Sequence, residues 1–225
     1  LDGQYKLDGE IHECDCKMQK ALYRHYTVAG IGENYMRLDW EADFNGDPDA
    51  KKMVQGYVDR WRAARQNGLG LTLWSKELGT GKTFGATHVA KSLVKLGQRV
   101  QFIHFTDLIS TVVWETLDDE RHFVYLPWLV IDEVWFNPAR DSEAKKAMFG
   151  ENFERLIRNR TNQNLPTIIT SNLSPVQFKE HWPRVASLLS SKQMPVEFAG
   201  SDFRLGDGHM EGIERMLNGE TKPIS

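Results

Sequence analysis

The sequence predicts a three-layer α/β core built on a parallel sheet, and three observations lead there. Apolar segments of strand length alternate with segments of helical period from Leu69 to Gly200, the pattern of a parallel sheet covered on both faces. One strand, "WLVIDE" (128–133), opens with four consecutive apolar residues, as strands buried on both faces do. A glycine-bearing turn, "GTGKT" (79–83), joins a strand to a helix.

Residues 1–40 differ from the rest. They are polar and carry a Cys/His cluster, "IHECDC", followed by the basic-aromatic run "KMQKALYRHY", and form a short N-terminal appendage. "DFNGDPDAKK" (43–52) is rich in turn formers and leads into a helix near 48–67. Met53, Val54, Tyr57, Val58 and Trp61 give that helix its apolar face, and the glycines of "QNGLG" end it. A strand follows at 69–75, a helix at 82–96, a strand at 99–105 and a helix near 106–119. After "WLVIDE" come a polar helix near 141–162 and the strand "PTIITSN" (166–172). Ser174-Pro175 caps and opens the next helix, and "MPVEFAG" (194–200) is the last strand. The division is an appendage over 1–40, a core over 41–205 and a tail over 206–225. The tail is expected to hold one short helix and then disorder. Little chain remains after Arg204, so a C-terminal lid is small or absent.

Composition narrows the function classes. The chain has 225 residues, with ordinary apolar and charged fractions and a net charge of −3. Such a charge provides no global field for nucleic acid, so any DNA contact must come from a local patch. No apolar run nears the roughly 20 residues that span a bilayer, and the polar, acidic start is not a signal peptide. A cytoplasmic location without membrane contact is expected. The first residue is Leu1, which points to a chain lacking its true N-terminus. Cys14 and Cys16 lie too close to favour a disulfide with each other.

The chemistry gathers at three strand ends. In "GTGKT", Gly79 and Gly81 let backbone N–H groups turn around phosphate oxygens, and the following helix adds its positive end. Lys82 is placed to neutralise phosphate and the Thr83 hydroxyl to ligate Mg²⁺; Thr80 and Phe84 complete the binding stretch. Lys76 stands where the usual pattern has its first glycine, which alters the loop's entry but removes no phosphate-binding N–H. In "LVIDE", Asp132 would hold Mg²⁺ and Glu133 would polarise an attacking water. Asn172, ending "IITSN", can orient that water, with Thr170 as a weaker neighbour. Arg184 and Arg204 are the arginines considered for charge stabilisation, though residue chemistry alone does not select them.

With "GTGKT", "LVIDEV", "RNRTNQNLPTIITSNL" and "GSDFR" in that order, nearly the whole chain resembles AAA+ ATPases of the DnaC/DnaI helicase-loader family. The resemblance implies a P-loop NTPase core. It implies Lys82 and Thr83 as Walker A residues, Asp132 and Glu133 as Walker B, Asn172 as sensor 1 and Arg204 as a sensor-2-like arginine. The family's "ERVxxR" reads here as "PRVASLL", so Arg184 matches the first arginine and Leu188 replaces the second. Arg184 is then the stand-in for the arginine finger. Lys76 and Leu188 bear on fast hydrolysis more than on nucleotide binding.

The resemblance also implies ATP and Mg²⁺ as cofactors. It implies a hexameric replicative helicase and single-stranded DNA as partners, and self-association into a ring or helical oligomer. "KMQKALYRHY" is the expected helicase-facing stretch. Cys14 and Cys16 would be two of four zinc ligands, with His12 as a substitute, thiolate and imidazole being ordinary zinc donors. The helical run Arg155, Arg158 and Arg160 is the best basic patch, and Trp114 could stack a base. The competing readings are an IstB-like transposition helper acting on duplex DNA, a nucleotide-dependent adaptor that hardly hydrolyses ATP, and, least favoured, a small-molecule kinase.

Overall fold

The computed structural model describes residues 4–7, 10–13, 15–114, 117–135, 143–200, 202 and 222–225. Strands β1 (Gln4–Leu7) and β2 (Glu10–Glu13) pair antiparallel. Helix α1 (Asp15–Val28) leads to two single-turn helices, α2 (Glu33–Met36) and α3 (Trp40–Asp43). Helices α4 (Pro48–Asp59) and α5 (Trp61–Asn67) precede β3 (Gly70–Trp74) and α6 (Lys82–Lys95). Next come β4 (Val100–His104), α7 (Phe105–Trp114), α8 (Leu117–Tyr125) and β5 (Trp128–Asp132). The chain continues through α9 (Glu143–Asn162), β6 (Thr167–Ser171), α10 (Pro175–His181), α11 (Pro183–Leu189) and β7 (Gln193–Glu197).

The main sheet runs β4-β5-β6-β3-β7, with every neighbouring pair parallel. Period-two alternation divides its side chains between two cores. Leu71, Leu73, Trp128, Val130 and Ile168 pack with α1, α4 and α6 on one face. Leu129, Ile131 and Ile169 pack with α7 to α11 on the other. That makes three layers, as the alternation predicts. Because β3 sits between β6 and β7, and β5 beside β6, the C-terminal ends of β3, β5 and β6 open on the same edge. The connections leaving those ends carry the loop, the two acids and Asn172.

Local chemistry explains the boundaries. Asp47 accepts hydrogen bonds from the N–H groups of Asp49 and Ala50 and precedes Pro48, a strong helix start. The expected single helix over 48–67 is two, broken at Arg60 (φ −104°, ψ 21°). Ser174 and Gln177 close a capping box on α10. The helix near 106–119 is instead two: α7 ends at Trp114 and a second helix, α8, begins at Leu117.

Two further expectations need correction. Arg160 is fully buried. It donates to the carbonyls of Phe123, Leu126 and Pro166 and to the Thr167 hydroxyl at 2.6–2.9 Å, so it knits α8, α9 and β6 and belongs to no surface patch. Arg155 and Arg158 are exposed, and Arg158 pairs with Glu154 at 2.6 Å. The end of the tail is also ordered. The Ile224 side chain joins the first core, and Lys222 pairs with Asp43 at 2.6 Å. The side chain of Trp114 lies outside the described residues. Among the described residues, no helix is long and apolar enough to cross a membrane.

Candidate nucleotide-binding site

The loop between β3 and α6 takes the shape its glycines allow. Gly79 and Gly81 have φ of +70° and +95°, left-handed values that side chains resist. Gly79 also lies against the Asp202 carboxyl group, whose carbon a Cβ would approach to 1.9 Å. Lys76 is exposed, and its backbone is not left-handed. The chain therefore leaves β3 without needing a glycine there, which removes the conformational objection to Lys76. The Lys82 ammonium, almost fully buried, donates to the Glu77 carbonyl at 2.9 Å and approaches the Thr80 hydroxyl at 3.4 Å. It is thus held within the curl of the loop at the positive end of α6.

Asp132 ends β5 and is 1% exposed. Its Oδ1 accepts from the Thr170 hydroxyl at 2.6 Å and from Thr83 at 3.1 Å. Its Oδ2 is buried without a hydrogen-bond partner, and His104 Nδ1 stands 3.7 Å away. Burial raises the carboxyl above the usual range; the Thr170 bond, the nearby His104 and Thr83 oppose that shift. Glu133 follows with an exposed side chain and φ of +57°, a strained backbone for a non-glycine residue. Its N–H donates to Thr170 Oγ1 at 2.8 Å, and Val134 N–H donates to the Thr170 carbonyl at 2.9 Å. Thr170, weighed only as a weaker neighbour in the sequence, is the hub tying β6 to both acids.

These groups face one cleft of about 470 Å³. It is lined by Leu78 to Phe84, by Glu133, Thr170, Ser171 and Asn172, and by a wall of Asn34, Tyr35, Leu38 and Asp43. Gly79, Thr80, Gly81, Lys82, Thr83, Phe84, Glu133 and Asn172 therefore come together, with Asp132 behind Thr83. Phe84 packs edge-on against Trp40 and Phe44. The wall residues between 34 and 43 carried no recognisable signal, because their role comes from folding back onto α6. His104 was missed too; it meets Asp132 only through the pairing of β4 with β5, which leaves no motif in the sequence.

A hydroxyl beside a buried carboxylate with one unpartnered oxygen suits a hard cation such as Mg²⁺. Thr83 and Asp132 would hold it, and it would supply charge neutralisation at phosphate. Zinc is not supported among the described residues. Cys16 is disulfide-bonded, so it offers no free thiolate. Among the described residues, no three ligating side chains cluster. Cys14 and the His12 side chain lie outside the described residues, as does Arg204. Arg184 does not line the cleft of its own chain; it is largely exposed and reaches Glu154 at 3.3 Å.

No family model matches the chain. The replicative helicase loader DnaI of Bacillus subtilis (strain 168) is 23% identical over 194 residues, which are 78% of this chain and 58% of that protein. A crystal structure of the DnaC helicase loader superposes with a TM-score of 0.63 at 20% identity, covering 75% of this chain and all of that one. The chain has the AAA+ P-loop fold that the DnaC loader structure shows. It spans a little over half the length of the DnaI relative. A replication initiator DnaA bound to AMPPCP and single-stranded DNA shares the AAA+ fold, with a TM-score of 0.58 at 14% identity over 84% of this chain and 64% of that one. The cleft lies at the C-terminal edge of the sheet, where open α/β sheets bind their ligands.

Proposed function

We propose that the chain is an ATP-dependent loader that places a hexameric replicative helicase on single-stranded DNA. The observation that carries this is the single cleft joining the phosphate loop to the carboxylates of β5 and the amide after β6. It occurs in a chain similar over most of its length to a protein named a replicative helicase loader. Lys82 and the loop N–H groups bind the phosphates, and Thr83 with Asp132 holds Mg²⁺. Glu133, exposed in the cleft, orients and deprotonates the attacking water; Asn172 steadies it. Arg184, being exposed and away from its own cleft, serves the site of a neighbouring subunit, and Arg204 contacts nucleotide from within the same chain. ATP bound between subunits favours a ring or helical assembly on DNA, and hydrolysis, slow and regulatory, releases it. A cytoplasmic location goes with this reading. The AMPPCP and single-stranded DNA in the DnaA neighbour are of the ligand classes proposed here.

The test is fluorescence anisotropy of labelled single-stranded and duplex DNA, titrated with the chain in ATP, in ADP and without nucleotide. Tighter single-strand binding in ATP is expected. ATP-dependent assembly on duplex alone would replace the loader with the transposition helper. Binding that ignores nucleotide would favour the adaptor.

A further inference from the structure

The wall of Asn34, Tyr35 and Leu38 is held by a device that the phosphate chemistry does not use. Lys91 lies on α6, the helix that begins with Lys82, and is 5% exposed. Its ammonium donates to the carbonyls of Tyr35, Met36 and Leu38 at 3.1, 3.1 and 2.7 Å, and to the Ser225 hydroxyl at 2.7 Å. Its cation is thus caught by carbonyl and hydroxyl oxygens, an arrangement that fixes the backbone supplying them. Tyr35 and Leu38 are themselves cleft-lining residues.

The segment Lys222–Ser225 closes the arrangement from outside. Ser225 Oγ donates to the Leu38 carbonyl at 2.7 Å while accepting from Lys91, and Ser225 N–H donates to Met36. The Tyr26 hydroxyl donates to the Ser225 carbonyl at 2.9 Å. Gln19 exchanges hydrogen bonds with both backbone groups of Ile224. Lys222 reaches Asp43, another cleft residue. A stretch with no regular structure over 37–39 is thereby clamped from α6 and from the Lys222–Ser225 segment, which α1 in turn holds.

We propose that Lys91 and the docked Lys222–Ser225 segment form a latch that positions the nucleoside-binding wall of the cleft. This rests on the nucleotide reading of the site. With phosphates in the loop and the terminal phosphate toward Glu133, the wall of Asn34, Tyr35 and Leu38 meets base and ribose. Lys91 is a positioning residue: it touches no phosphate, and its influence reaches only the part of the ligand that the wall touches. Loosening the latch lowers affinity for ATP by the entropy of re-ordering the wall. Affinity for a ligand with phosphates alone stays the same.

The experiment titrates the full chain with ATP and with inorganic tripolyphosphate, comparing wild type, Lys91→Met, Lys82→Ala and the double variant Tyr26→Phe/Ser225→Ala. Lys91→Met is expected to weaken ATP about tenfold and to leave tripolyphosphate within about twofold. The double variant shifts ATP in the same direction by about threefold. Equal weakening of both probes, or unchanged ATP affinity, overturns the latch. Should circular dichroism show Lys91→Met unfolded, the double variant decides by the same criteria. Lys82→Ala must weaken both probes. If it weakens neither, or wild type binds neither, the nucleotide reading has failed and the latch with it.

Discussion

Thr170 shows how much one hydroxyl can organise. It donates to Asp132 and accepts from Glu133 N–H, so the position of both acids depends on one side chain of β6. Thr170→Val keeps the shape and removes both bonds. It should cost about 1–3 kcal/mol in chemical denaturation, the range for an unsatisfied buried partner. ATP turnover should fall about tenfold or more, with ATP affinity changed far less. Turnover equal to wild type would show that Glu133 is oriented by other contacts. At this scale the sequence was most informative for the loop. Gly79, Gly81, Lys82 and Thr83 are local in chain and in space, so their spacing carries their geometry. Thr170 and His104 meet Asp132 only through strand register, which a single sequence does not display. The concern over Lys76 dissolved because φ at that position is ordinary, a property of the strand exit that composition does not encode.

At the scale of elements, periodic segments were legible and contact-dependent ones were not. The five core strands were readable from apolar runs and flanking turns, and α6 from its loop. Helix α1 was not foreseen, because its mean character is polar and its single fully buried residue, Tyr26, is fixed by contact with the tail. Arg160 illustrates the opposite error. In sequence it extends a basic run, while in space it lies beneath α8, where it satisfies three carbonyls and a hydroxyl. Arg160→Met should therefore lose on the order of 3 kcal/mol of stability, since buried acceptors are left unpaired. Arg158→Ala, exposed beside Glu154, should change stability by less than about 1 kcal/mol. Urea unfolding of the two variants separates these roles, and equal midpoints would contradict the packing of Arg160.

Over the whole molecule, the parallel order of the sheet brings three strand ends to one edge. Residues from 26 to 44 and from 222 to 225 then wrap that edge and α6. Sequence reading located the loop that lines the cleft and the strand end that bears the acids. It left the wall of Asn34, Tyr35, Leu38 and Asp43 blank, because that wall is assembled from residues whose importance lies in long-range hydrogen bonds rather than in periodicity or motif. The central claim is that the loop of this chain is a working phosphate site despite Lys76. Isothermal titration of Mg²⁺-ATP into wild type and Lys82→Ala tests it most directly. The account predicts binding near one ATP per chain and a loss of about a hundredfold or more on removing the Lys82 ammonium, the charge-assisted contact within the loop. Equal affinity in the two proteins would place ATP elsewhere and contradict the site.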